Sequence, residues 1–494
     1  MVPGDREIKH AAPEIDCTGA VVTPGFIDIH THSDLSFIIN PSSDSKVAQG
    51  VTTEVIGNCG FSAFPVKDER RPELIQFLRG LGFHHTDINW TDFEGYAKRL
   101  ADARPVMNIA PLVGHGSLRI AAAGGSHTSL STTSMNDAKA LLRESLDQGA
   151  FGMSTGLTYV PSCFAKPNEI HQFAEILNEY DSLYATHSRA TSGMTSFHEA
   201  VEVGSRTGAK VQFSHVALND PRQWGQAGEV IQIFSSAADA GINIRYDVYP
   251  YNASASALSQ YLPDWLQYGS EHDMRERLAD PRHFARARAD LAAGLYGNIP
   301  WHWDKVLISL TGPGDEDLIG KSVEQASQSR GLAPEELCLT LCAQYGNLPQ
   351  VVLFYRAEAD VREFLSDRLA VIGSDGNAMP TTAPGKPHPR SFGAHARLLQ
   401  RYVRERGDLT LPEAVYKSTH AAAERLGITD RGRIAVGTQA DIAVLDFDSI
   451  QERATWMEPS RLASGVRHLW INGEQVLASG KLTKARPGRV LRRR

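Results

Sequence analysis

Short apolar runs alternate with amphipathic stretches along most of the first half of this chain. Between residues 24 and 256, β-branched and apolar runs predict strands, and apolar positions spaced three and four apart predict helices over residues 135–148, 167–180 and 195–207. This alternation is typical of strand–helix units in a parallel sheet. We therefore expect an α/β fold whose strands lie side by side and point the same way.

The second half of the chain departs from this strand–helix alternation in two segments. Residues 259–303 are charged, helix-prone and rich in Trp, which indicates a helical insertion. A helix predicted over residues 412–426 leads to a turn-and-strand segment at 432–446 and a hairpin pattern at 468–477. The expected organisation is a barrel domain at 24–430 and a small β domain formed by residues 1–23 and 431–494.

The segment GFIDIHTHSD at residues 25–34 places two imidazoles one residue apart at the end of an apolar run. In an extended strand, residues i and i+2 point to the same face, so His30 and His32 can reach one metal ion. Such a pair can equally satisfy polar neighbours at a strand end. Other strands must decide between the two interpretations.

Four more predicted strands end in a residue that can bind a metal. They end at Cys59, His187, His215 and Asp375. In a parallel barrel the carboxyl ends of the strands meet at one mouth, so these side chains would converge with the histidine pair. Thiolate, imidazole and carboxylate ligands together suit zinc, and six ligands suggest two metal ions. The alternative, that each is an ordinary buried polar or small core residue, explains their repeated position poorly.

Several short segments besides the metal ligands are characteristic of a known family. They are GNCGFS at 57–62, GHGSLR at 114–119, STGLTYVP at 154–161, DVYPY at 247–251, HPR at 388–390 and ARPGRVL at 485–491. With these segments the chain resembles the amidohydrolase superfamily and, within it, the N-acyl-D-amino-acid deacylases (D-aminoacylases), from about residue 17 to the C-terminus. The resemblance implies a (β/α)8 TIM-like barrel with a small β-sandwich-type domain formed by the chain termini, and an insertion that partly covers the active site.

The resemblance also implies how the metal ligands divide. In that family a cysteine takes the place of the carboxylated lysine that bridges the metals in many relatives. Cys59, His187 and His215 would therefore hold one tight zinc ion. The remaining three ligands, His30, His32 and Asp375, would form a second, weaker site.

Substrate recognition rests on residues in the same segments. An N-acyl amino acid carries a carboxylate, for which Arg is the natural bidentate partner. Arg390 is the leading candidate, with Tyr249 as a hydrogen-bond donor and Tyr159 and Arg189 as further candidates. Arg189 could equally serve in a structural ion pair.

Two positions depart from the family pattern. The resemblance implies a lysine two residues after His215 and a serine shortly after Tyr251, but this chain has Ala217 and Ala255. We therefore expect a less polar pocket and a substrate that differs from an ordinary N-acyl-D-amino acid.

The predicted metal ligands indicate which reaction the site would catalyse. Zinc polarises an amide carbonyl and lowers the pKa of a bound water, so the resulting hydroxide can attack without a protein nucleophile. Asp375 would take the proton of the water and pass it to the departing amine. We therefore predict a zinc-dependent hydrolase of non-peptide C–N bonds that deacylates N-acyl-D-amino acids or related N-acyl compounds. Two alternatives stay open: a cyclic amidase of the hydantoinase or dihydroorotase type, and a catalytically inert barrel scaffold.

Composition limits the partners and the location. The net charge of −7 leaves no basic footprint for nucleic acid or an anionic membrane, so a small molecule is the expected partner. No apolar run reaches transmembrane length, and the five scattered cysteines favour reduced thiols, so we expect a cytoplasmic protein. The resemblance implies several strands of the β domain before the metal motif, but only about two dozen residues precede Gly25, so we expect a shortened β domain unless the start site is misplaced. The acyl group, the side chain, the stereochemistry and the oligomeric state are open.

Overall fold

A closed barrel of eight parallel strands forms the centre of the molecule. The computed structural model describes residues 14–82, 87–189 and 193–493. In chain order, the barrel strands are Phe26–Asp28, Val51–Ile56, Asn108–Pro111 continued by Val113–Gly114, Gly152–Gly156, Leu183–His187, Lys210–Phe213, Ile244–Val248 and Ala370–Ile372. A bridge between Thr31 and Gly376 joins the last strand to the first. The predicted (β/α)8 barrel is confirmed.

Helices cover the outside of the barrel, so its strands are buried on both faces. The covering helices are Ser36–Ile39, Asp44–Val47, Arg71–Arg79, Phe93–Asp102, His115–Ala123, Thr132–Asp147, Pro167–Glu179, Thr195–Thr207, Ala227–Asp239, Glu358–Ser366, Arg390–Arg397 with a π-helical continuation Leu398–Glu405, Leu411–Lys417 and His420–Leu426. Among the described residues, none of the helices is both long and apolar enough to cross a membrane.

One predicted helix proves to be two. The pattern at residues 412–426 predicted a single helix, but the structure has Leu411–Lys417 and His420–Leu426. The backbone of Thr419 leaves the helical region at φ −136° and ψ −88°. Its side-chain hydroxyl donates to the carbonyl oxygen of Val415, which satisfies an acceptor at the end of the first helix. Apolar periodicity continues across the break because both helices pack on the same barrel.

The small β domain joins the two ends of the chain, as predicted. Its described strands form one antiparallel sheet, ordered Val21–Pro24, Ile442–Leu445, Val466–Ile471, Glu474–Ala478 and Lys481–Leu482. The predicted hairpin turns at Asn472 and Gly473, whose φ values of 51° and 84° are those of a two-residue type I′ turn. The predicted shortening of the N-terminal part of this domain, residues 1–23, stays a prediction, and residues 1–13 lie outside the described residues.

A third unit lies between the last two barrel strands. Its antiparallel sheet is ordered Ser254–Ala257, Gln350–Leu353 and Val306–Leu310. Its helices are Asp264–Gln267, Glu271–Ala279, Pro281–Ala292, Val323–Arg330 and Pro334–Tyr345. It has a hydrophobic core of its own, which includes Leu266, Leu318 and Cys342. The helices predicted for the insertion at about 259–303 belong to this unit, while the domain limits stay a prediction.

A buried charge cluster connects the first, second and last barrel strands. The Nζ atom of Lys46 lies 2.8 Å from Asp28 Oδ2 and 3.1 Å from Glu54 Oε1, and all three side chains are inaccessible to solvent. Lys46 also donates to Ser374 Oγ at 2.7 Å. Burial alone would lower the pKa of Lys46, but the two carboxylates outweigh burial and raise its pKa, so the ammonium stays charged.

Removing this cation is expected to destabilise the fold. Lys46→Ala leaves two buried acids without their cation, which costs about 3–5 kcal/mol of unfolding free energy. The measurement is denaturant unfolding of the variant beside the exposed-site control Lys98→Ala, whose effect we expect within about 0.5 kcal/mol. A loss for Lys46→Ala no larger than for the control would show that the cluster does not stabilise the fold.

Candidate active site

Three of the predicted metal ligands have an unusual backbone conformation. Cys59, His215 and Asp375 follow barrel strands and have φ values of 52°, 38° and 54°. Non-glycine residues rarely occupy this left-handed region, and those that do are concentrated at functional sites. These sharp turns at the strand ends direct the side chains towards the mouth of the barrel.

Four side chains come together there. One ligand atom each of His30, Cys59, His215 and Asp375 lies within 4.8 Å of the other three. The Sγ atom of Cys59 is 3.3 Å from His30 Nε2 and 3.4 Å from His215 Nε2. The Oδ1 atom of Asp375 is 3.5 Å from His30 Nε2. A set of one thiol, two imidazoles and one carboxylate, in which all but His215 are buried, fits zinc.

The other two predicted ligands adjoin this group. His32 Nε2 lies 3.0 Å from Asp375 Oδ1. The ring of His187 is 4.6 Å from that of His215, and His187 Nε2 is 2.8 Å from Thr158 Oγ1. All six predicted ligands therefore meet at one place. The compact group of four takes members from both expected metal sites, so the division into a tight and a weaker site stays a prediction.

The electrostatics of the group favour ionised ligands. Burial opposes a charged Cys59, but the neighbouring His30 and His215 outweigh burial and hold the pKa of the thiol well below its ordinary value. For Asp375, burial is likewise outweighed, chiefly by Arg390 and His215, and the pKa of the carboxyl is well below its usual range. Burial lowers the pKa of His187, which keeps this imidazole neutral. Thiolate, carboxylate and neutral imidazole are the forms that bind a metal. For His30 and His32, burial is outweighed by the neighbouring acidic groups and Cys59, which raise the pKa of both imidazoles, so these two rings would lose a proton when a metal binds.

Asp247 contacts two of the candidate ligands, His30 and His215. It was not singled out as a site residue from the sequence. Its Oδ1 atom accepts from the backbone amide of His215 at 2.7 Å and lies 3.1 Å from His30 Nδ1. A carboxylate in this position fixes the ring orientation of a ligand histidine. The available signal was its position at the start of the DVYPY segment, at the end of the strand Ile244–Val248.

A cavity of about 300 Å³ opens above the ligands. Its wall includes His32, Cys59, His187, His215 and Asp375. Leu295, Tyr296 and Ile299 of the insertion line the same cavity, so the insertion forms part of its wall.

The predicted substrate-binding residues differ in their placement. Arg390 and Tyr159 line the cavity. Arg390 Nη1 donates to Asp375 Oδ2 at 2.6 Å, and the ring of Tyr159 lies 4.6 Å from that of His187. Arg189 also reaches the wall, but its Nε donates to Glu199 Oε1 at 2.9 Å. Tyr249 is fully buried, does not belong to the described cavity wall, and has a hydroxyl without a hydrogen-bond partner among the described residues.

The two departures from the expected pattern face the cavity together with an unforeseen cation. Ala217 and Ala255 both line the wall. So does Arg356, which follows the insertion strand Gln350–Leu353 and whose Cζ atom lies 4.3 Å from the centre of the Tyr249 ring. Nothing in the local sequence distinguishes this arginine from a surface residue, because only the insertion brings it to the barrel mouth.

Comparison with known proteins agrees with this architecture. The profile of the amidohydrolase family matches residues 13–277 and 342–477. The chain is 32% identical to the N-acyl-D-glutamate deacylase of Alcaligenes xylosoxydans xylosoxydans, over 99% of this chain and 90% of that protein. It is 30% identical to the N-acyl-D-aspartate deacylase of the same organism, over 99% and 88% of the two chains.

A solved structure shows the same fold. The N-acyl-D-glutamate deacylase from Bordetella bronchiseptica, complexed with zinc and a phosphonate inhibitor that mimics the tetrahedral intermediate, superimposes with a TM-score of 0.78 at 28% identity. The alignment covers 97% of this chain and 90% of that one. The chain therefore belongs to the amidohydrolase family and groups with its N-acyl-D-amino-acid deacylases.

Proposed function

We propose that this protein is a zinc-dependent hydrolase that removes the acyl group from N-acyl-D-amino acids. The observation that carries the proposal is the compact group of thiol, imidazoles and carboxylate at the mouth of the barrel, beneath a cavity large enough for a small substrate. The near full-length similarity to two D-amino-acid deacylases supports the choice of substrate.

The ligand group would hold the zinc. Cys59, His187 and His215 would hold the tight zinc ion, and His30, His32 and Asp375 would form the weaker second site. The short distances among His30, Cys59, His215 and Asp375 support two adjacent sites. When bound, zinc supplies Lewis acidity that polarises the amide carbonyl and acidifies water. Asp247 would orient His30 through its contact with Nδ1.

Asp375 is the proposed catalytic residue. Arg390 and His215 keep this carboxylate ionised despite its burial, so it can accept the proton of the attacking water. Once protonated in an environment that favours its ionised form, Asp375 is a strong acid and gives the proton to the departing amine. Arg390, hydrogen-bonded to Asp375 Oδ2, would orient the carboxylate during both transfers.

The alternatives receive less support. A cyclic amidase would share the barrel and the metals, but the identities of 30–32% over nearly the whole chain are to deacylases of open-chain substrates. An inert scaffold is expected to have lost ligands, above all the acid that moves the proton, yet six candidate ligands are present. The five free cysteines support a cytoplasmic location as part of the proposal.

A substrate panel tests the proposed function. We expect the zinc-loaded protein to hydrolyse N-acetyl-D-amino acids in preference to their L-enantiomers and to hydantoins. Chelation should abolish turnover and added zinc should restore it, because the nucleophile of the proposed reaction is water activated by zinc. Faster opening of hydantoins, or full turnover after metal removal, would contradict the proposal.

A further inference from the structure

Arg356 is a buried cation of the cavity wall that has no acidic partner among the described residues. Its side chain belongs to a residue that is only 7% exposed, and its Nε and Nη1 atoms have no hydrogen-bond partner there. No carboxylate of the described residues neutralises this guanidinium, and a largely buried cation without an anionic partner is unfavourable. An anionic ligand that enters the cavity would supply the partner that Arg356 lacks.

The other two arginines of the described wall are already paired. Arg390 donates to Asp375 at 2.6 Å, and Arg189 donates to Glu199 at 2.9 Å. A ligand that used either cation would have to compete with an internal carboxylate. Arg356 requires no such competition.

The position of Arg356 is fixed by an aromatic ring. Its Cζ atom lies 4.3 Å from the centre of the Tyr249 ring, and Arg390 Cζ lies 5.0 Å from the same centre. Tyr249 is itself fully buried. The ring thus holds Arg356 near the guanidinium that contacts Asp375, on the side of the cavity where the reaction is proposed to occur.

We propose that Arg356 binds a carboxylate of the substrate and replaces the cation that is missing at Ala217. Both residues line the same cavity, although they lie 139 positions apart in the sequence by their numbers, 356 and 217. The inference rests on the proposed function, because it concerns the N-acyl amino acid that the site would take. The carboxylate is the α-carboxylate or that of an acidic side chain.

Paired substrates test this assignment. We expect Arg356→Met to lower kcat/KM for N-acetyl-D-amino acids by about tenfold to a hundredfold, mainly through KM, because one charge-assisted contact is lost. N-acetyl-D-leucinamide, which has no carboxylate, should be unaffected. Arg356→Lys should retain an intermediate value, and Ala217→Lys in the Arg356→Met background should recover part of the loss.

The matched control is Arg362→Met. This substitution removes the same charge from a nearby residue whose guanidinium binds Asp408, and Asp408 keeps its second partner Arg406. We expect wild-type kinetics. Thermal unfolding of each variant separates a binding role from a structural one, since the loss of an unpaired buried cation should not lower the Tm.

The pattern of losses identifies the carboxylate. Equal losses for N-acetyl-D-leucine and N-acetyl-D-glutamate indicate the α-carboxylate, and a loss for the glutamate compound alone indicates the side-chain carboxylate. No loss for either acid, or the same loss for the amide, overturns the proposal.

Calorimetric titration with N-acetyl-D-glutamate and N-acetyl-D-leucine separates this inference from the proposed function. If the wild type binds either acid without hydrolysing it, and Arg356→Met weakens that binding, Arg356 is confirmed as the anchor while the deacylase proposal fails. If the wild type hydrolyses both acids and Arg356→Met binds them normally, the deacylase stands and the inference fails. Absence of both binding and hydrolysis overturns both.

Discussion

Replacing Cys59 by alanine is expected to remove most of the bound zinc and to abolish hydrolysis while the fold persists. The thiol lies within 3.4 Å of two imidazole nitrogens at the centre of the ligand group, and its pKa is held low enough for the thiolate that zinc requires. Because the side chain is small, its truncation leaves the barrel core almost intact. Metal analysis and circular dichroism measure the two effects separately.

Cys17→Ala is the matched control for this prediction. Cys17 is also a free thiol, but it lies outside the ligand group near the start of the described chain. It should keep wild-type zinc content and turnover. Full zinc content in Cys59→Ala would remove Cys59 from the metal site.

The second large effect is expected for Asp375→Asn, which should lower kcat by about a hundredfold or more, the scale of lost acid–base catalysis. The amide cannot accept a proton from water or return one to the amine. It also no longer neutralises Arg390, whose Nη1 lies 2.6 Å from the carboxylate in the native protein. We expect the zinc of the proposed tight site to remain, because Cys59, His187 and His215 are unchanged.

Zinc content measured together with kcat decides between two roles for Asp375. If Asp375→Asn keeps its zinc but loses turnover, Asp375 is a proton carrier. If the variant loses zinc and turnover in parallel, Asp375 is a metal ligand alone. Asp239→Asn, which alters an exposed carboxylate paired with Arg368, serves as the control and should change neither quantity. Near-normal kcat in Asp375→Asn would exclude it from the mechanism.

The amino-acid sequence by itself determined the barrel, the hairpin and the candidate metal ligands. Burial on both faces favours apolar and β-branched residues in barrel strands, and ligands such as His30 and Cys59 stand out because they follow segments rich in such residues. The Asn472–Gly473 turn was predictable because both residues tolerate a positive φ. These signals are local, so they can be read from short windows of the chain.

Only the tertiary structure decided which side chains surround the ligands. The sequence could not show that Tyr249 lies beneath two guanidiniums, that Arg390 is already paired with Asp375, or that Arg356 reaches the cavity. Each fact depends on how the insertion and the strand-end loops pack on the barrel, between residues distant in sequence. Strand periodicity fixes the direction of a side chain within its own element, but the contacts between elements arise only when the core closes.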